Sequence, residues 1–180
     1  MLRGKEVMKA TLEAINQMQT DGVIGKYAIG GAVGATFYLQ PAATIDVDIF
    51  VALPVGRGGL LSLSPIYEYL KARGCAEREE HIVIGEWPVQ FLAPRDALEE
   101  EAIADAVVAT VEGVETRVMP AEHLVAIALR TGRAKDHARI VQFIEQDAVD
   151  RMKLRSLLER HGLLTKWTAF ERNYLGGGRG

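Results

Sequence analysis

Apolar and polar positions along the chain divide it into two kinds of pattern. Met8, Leu12, Ile15 and Met18 recur at spacings of four, three and three, which predicts one buried face of a helix over residues 4–20. Asp21-Gly22 ends that helix. Tyr27–Gly30 then reads as a short apolar strand running into a helix from Ala32 to Leu39, closed by Pro41. Thr44-Ile45-Asp46-Val47-Asp48-Ile49-Phe50-Val51 alternates apolar and polar residues, the period of a strand with two unlike faces. A loop from Leu53 to Leu63 contains Pro54, Gly56, Arg57, Gly58 and Gly59. Ser64-Pro65 predicts a helix start, with Ser64 as cap, Ile66, Tyr69 and Leu70 as the apolar face and Gly74 as the end. Cys75–Ile84 and Trp87–Leu92 read as a hairpin around Gly85-Glu86. A helix over Arg95–Asp105 follows, then two short strands, Val107–Val111 and Val114–Met119, around Glu112-Gly113.

From Pro120 the period is helical throughout. Leu124, Ile127 and Ala128 mark one helix, Ile140, Val141 and Ile144 a second, and Leu154, Leu157 and Leu158 a third. Arg160-His161-Gly162 is a helix ending, and Leu163–Tyr174 predicts a final short helix. The expectation is an α/β (α+β) protein. Its mixed sheet and flanking helices occupy residues 1–119, a helical segment packs on them over 120–175, and 176–180 form a glycine-rich tail.

The alternating strand carries the most specific chemistry. Its geometry turns Ile45, Val47, Ile49 and Val51 to one face and Asp46 and Asp48 to the other, with the carboxylates about 7 Å apart along the strand. Such a pair can share a hard divalent cation such as Mg²⁺, which takes oxygen ligands and commonly carries substrate phosphates. Upstream, Gly30-Gly31 at a strand-to-helix turn lets backbone N–H groups approach a phosphate. Together these point to phosphoryl or nucleotidyl transfer. The plainer alternatives are a half-exposed strand with acids toward solvent and a tight glycine turn.

Gly30-Gly31, a helix, then Thr44-x-Asp46-x-Asp48 resembles the core of the nucleotidyltransferase superfamily with the DNA polymerase β fold, and among its members the small bacterial AbiEii-type toxins of type IV toxin–antitoxin systems. The resemblance runs from Gly22 to Leu92, and to about Ile144 through a helical motif. It implies Mg²⁺ held by Asp46 and Asp48, an NTP donor approached by Gly30, Gly31 and Thr44, and an acceptor hydroxyl on RNA, a protein or a small molecule. A cognate antitoxin would be a partner. The family's third carboxylate falls on the strand Val89-Gln90-Phe91-Leu92, where this chain has Gln90. An amide can coordinate a metal but cannot act as a base near neutral pH; Glu86, or Glu79 and Glu80, are the acids near enough in sequence to substitute. The helical motif matches Arg130, Lys135 and Asp136, which implies a basic wall for the triphosphate, with Asp136 orienting a catalytic group. Independently of the resemblance, Arg130, Arg133, Lys135 and Arg139 place four cations within ten residues, suited either to phosphate or to a solvated helix junction.

Bulk properties narrow the setting. A net charge of −3 gives no global attraction to nucleic acid or anionic membrane. No apolar run approaches the length of a membrane span, and the N-terminus lacks the apolar core of a signal peptide. One cysteine, Cys75, excludes an intrachain disulfide and fits a cytoplasmic location. His81, His123, His137 and His161 show no metal-ligand spacing in sequence.

Overall fold

A computed structural model describes residues 3–40, 46–54 and 61–176, with side chains from residue 8 onward. Thr44, Arg57 and the tail from residue 177 lie outside the described residues.

Helix α1 (Arg3–Thr20) leads to β1 (Tyr27–Ile29), the short α2 (Gly31–Ala35) and β2 (Val47–Val51). Helix α3 (Ser64–Lys71) precedes β3 (Ala76–Arg78), β4 (His81–Ile84) and β5 (Trp87–Leu92). Next come α4 (Ala97–Ala104), β6 (Val107–Val111) and β7 (Val114–Val118). Helices α5 (Ala121–Thr131), α6 (Ala134–Glu145), α7 (Arg151–Arg160) and α8 (Leu164–Phe170), then a π-helical turn over Glu171–Leu175, complete the described chain.

The seven strands form one mixed sheet in the order β3-β4-β5-β2-β1-β7-β6. β2 runs parallel to β5, and β1 parallel to β7; the other pairs are antiparallel. The alternation along β2 sorts the two faces. Val47, Ile49 and Val51 enter a core cluster with Leu12, Ile15 and Met18 of α1 and Ile66 and Leu70 of α3. Phe50, on the opposite face, joins Leu98 of α4, Leu124 and Leu129 of α5 and Phe143 of α6. Asp46 and Asp48 share the Phe50 face, so the alternation that builds the α1–α3 core turns both acids toward the helices of the C-terminal half.

Four elements differ from the sequence expectation. The run Cys75–Ile84 is two strands, not one: Glu79 takes a left-handed φ of 54° and Arg78 pairs with His81 across a two-residue turn. The charged cluster at the middle of that run is the turn signal, and it lets β4 lie between β3 and β5. Helix α2 stops at Ala35, where Thr36 Oγ1 donates to the Val33 carbonyl at 2.6 Å and the chain continues in turns to Leu39. Helix α4 begins only at Ala97 because Asp96 caps it, accepting from the Glu99 amide at 3.0 Å. At α3 the cap position belongs to Leu63, and Ser64 is already helical.

Candidate active site

The Phe50 face opens into a cavity of about 320 Å³. The sheet side contributes Gly31, Asp46, Asp48, Phe50, Gln90, Leu92 and Arg95; α5, α6 and their junction contribute Leu124, Ile127, Thr131, Arg133, Lys135, Asp136 and Arg139. The two motifs that lie some ninety residues apart in sequence therefore meet across one space, acids on one side and cations on the other.

The glycine pair is fixed by close approach. Gly31 has φ +56°, and a Cβ there would stand 2.1 Å from Asp48 Oδ2; a Cβ on Gly30 would stand 2.6 Å from the Phe50 ring. Gly30 N–H donates to the Asp48 carbonyl at 3.0 Å, which pins the turn to β2. The absence of two side chains is thus what allows the Asp48 carboxylate to sit against the start of α2.

Asp48 is half-buried, and its pKa is pushed up, first by burial and then by the charge of Asp46; His81, Arg139 and Lys135 pull it part of the way back. Two like charges held on one strand face lower their repulsion by sharing a cation. The donor set fits Mg²⁺: carboxylate oxygens, a half-open position and a cavity wide enough for waters or phosphates.

Gln90 stands directly opposite Asp48 in the β2–β5 register. Its amide nitrogen lies 3.4 Å from Glu80 Oε2. The β3–β4 turn therefore brings Glu80 beside Gln90, whereas Glu86 sits in the β4–β5 turn; both acids are exposed and neither lines the cavity. The same turn sets His81 Nε2 3.6 Å from Asp46 Oδ2. Neither contact was visible in sequence, because Cys75–Ile84 read as a single strand carries both side chains elsewhere.

On the helical side, Asp136 is buried and belongs to the α6 start. Its carboxylate accepts from the Arg133 amide at 3.2 Å and from Arg133 Nε at 2.7 Å, and Arg139 lies 3.7 Å away. Burial alone would raise its pKa, but the Arg133 hydrogen bonds and charge outweigh burial and hold it below the ordinary range. Lys135 is exposed and reaches Asp48 through its field. Arg130 sits elsewhere. Its guanidinium donates to Asp96 and to Glu99, a fully buried acid that also accepts from Arg95 Nη2 at 2.6 Å. Arg95, on the cavity edge, escaped the sequence reading as a site residue; its position three residues beyond the predicted strand end was the available signal. His137 faces away, its ring tilted against Phe170 and 3.1 Å from the Tyr174 hydroxyl.

No protein-family model matches the sequence, and no curated protein matches it. Solved structures do. An antigenic nucleotidyltransferase-like protein from Paracoccidioides brasiliensis aligns with a TM-score of 0.57 at 14% identity, covering 92% of this chain and 93% of that one. The antibiotic-resistance factor ANT(2'')-Ia aligns with a TM-score of 0.51 at 14% identity, covering 94% and 98%. The mixed sheet with its flanking helices is thus a nucleotidyltransferase-like fold, shared over nearly the whole chain. No helix among the described residues is long and apolar enough to cross a membrane.

Proposed function

We propose that the chain is a Mg²⁺-dependent nucleotidyltransferase that moves a nucleoside monophosphate from an NTP to an acceptor hydroxyl. The observation that carries this reading is the meeting of Asp46 and Asp48 with Arg133, Lys135 and Arg139 around one cavity behind the Gly30-Gly31 turn. In this reading Asp46 and Asp48 hold the ion, which when bound neutralises charge on the triphosphate. Lys135 and Arg139 face the phosphates, and Arg133 is aimed by Asp136. Arg130 is a positioning residue: through Glu99 it holds Arg95 at the cavity edge. Gly31 gives the phosphates room against Asp48. The acceptor oxygen bonds to the α-phosphorus, the bond to the β-phosphate oxygen breaks, and pyrophosphate leaves. Glu80, beside Gln90, takes the proton of the acceptor hydroxyl.

The test is incorporation of α-labelled NTP into RNA, protein or a small-molecule hydroxyl, with pyrophosphate release measured in parallel. Transfer that requires Mg²⁺ and is lost in Asp48→Asn supports the reading. A toxin-like use of the same chemistry predicts growth arrest on expression, relieved by Asp48→Asn and by a cognate antitoxin. Gln90 opposite Asp48 favours a second reading, a nucleotide-binding module without transfer. That reading predicts metal-dependent NTP binding with no label transferred to any acceptor.

A further inference from the structure

A second cluster lies where α4 ends against the first turn of α5. One ligand atom each of Glu101, Asp105 and His123 falls within 4.8 Å of the other two. None of the three lines the Asp46–Asp48 cavity. His123 is 6% exposed, and neither of its ring nitrogens has a hydrogen-bond partner among the described residues. An unsatisfied buried polar side chain destabilises the fold, so a ring nitrogen left bare calls for a ligand. Its Nε2 lies 3.4 Å from Glu101 Oε1, near enough for both to turn onto one ion.

We propose that Glu101, Asp105 and His123 bind a single divalent transition-metal ion of the zinc class. One imidazole nitrogen and two carboxylate oxygens favour Zn²⁺ or Co²⁺ over Mg²⁺, which takes oxygen ligands alone. His161 Nε2 lies 2.6 Å from Glu101 Oε2 and orients the carboxylate from behind, as outer partners of metal ligands do. Arg160 also reaches Glu101 Oε1; its half-exposed side chain moves out to solvent when the ion enters. Asp105 is exposed, which leaves the remaining coordination positions to water. The ion would clasp α4 to α5, and through His161 would add α7, beside the Glu99–Arg130 latch that joins the same two helices.

The test is calorimetry and thermal melting of chelator-washed, tag-free protein with Zn²⁺ alone. Both are run in the Asp46→Asn/Asp48→Asn background so that the first acid pair does not contribute. The expected result is one Zn²⁺ per chain and a melting temperature raised by roughly 5–10 °C at about a hundredfold excess over Kd. His123→Leu, which keeps the buried volume apolar, and Asp105→Asn, on the surface and neutral for folding, each weaken binding at least tenfold. His161→Gln weakens it by about 10–100-fold. No saturable binding, or Zn²⁺ binding left unchanged by Asp105→Asn and His123→Leu, overturns the proposal.

Discussion

The acids of β2 and the acids of the α4–α6 helices live under opposite electrostatic rules. Asp48 faces Asp46, and its pKa is driven up. Glu99 and Asp136 are more deeply buried, yet arginines on each outweigh the burial and hold both below the ordinary carboxylate range. Glu99 and Asp136 are each bonded directly by arginines; Asp48 keeps a raised pKa at the edge of the cavity, although His81, Arg139 and Lys135 pull it part of the way back. A carboxylate whose pKa stays raised beside a cavity is a candidate for chemistry, and one held low by its own arginines is a structural acid.

Glu99→Ala gives the largest expected effect on folding. It removes the buried carboxylate that Arg95 and Arg130 share, leaving Arg130 to Asp96 and Arg95 to solvent, and costs about 1.5–3 kcal/mol, read from chemical denaturation. A variant as stable as wild type would show that the latch contributes nothing. Asp48→Asn should do the reverse, lowering any transfer rate by about 10²–10³-fold, the loss typical of one charge-stabilising group, while leaving the fold intact. Asp136→Ala removes a helix cap and an aimed arginine, so about 1–2 kcal/mol of stability is lost. NTP binding should weaken with it, measured by calorimetry.

The smallest effect is a pH dependence. Because the folded pKa of Asp48 is raised above its unfolded value near 3.8, the folded state is favoured by protonation. Metal-free protein should therefore lose stability as pH rises from that value through the raised one. The stability gap between Asp48→Asn and wild type should widen over the same window, and Mg²⁺ should close it. Melts across that window that show a constant gap would mean that neither burial nor the charge of Asp46 raises the Asp48 pKa.

Those contrasts also mark what was legible in the chain. Asp46, Asp48, Gly30 and Gly31 were readable because strand alternation and a glycine turn are local patterns, and the same alternation fixed the sheet face. The four-cation stretch from Arg130 to Arg139 was readable as a cluster, but not the direction of each member. Arg130 turns to Glu99 while Arg133, Lys135 and Arg139 line the cavity, a division set by α4 packing against α5. Glu80 and His81 were misplaced because one left-handed residue, Glu79, converts a ten-residue strand into a hairpin. The Glu101–Asp105–His123 cluster needs the ends of two helices that meet only in three dimensions.

The central claim is that the β2 acids await a metal–nucleotide complex. Titration calorimetry of each NTP with Mg²⁺, on wild type and on Asp46→Ala/Asp48→Ala, tests it most directly. The account predicts saturable, Mg²⁺-dependent binding of at least one NTP by wild type, lost in the folded double variant. No binding of any NTP by folded wild type, or equal binding by both proteins, would contradict it.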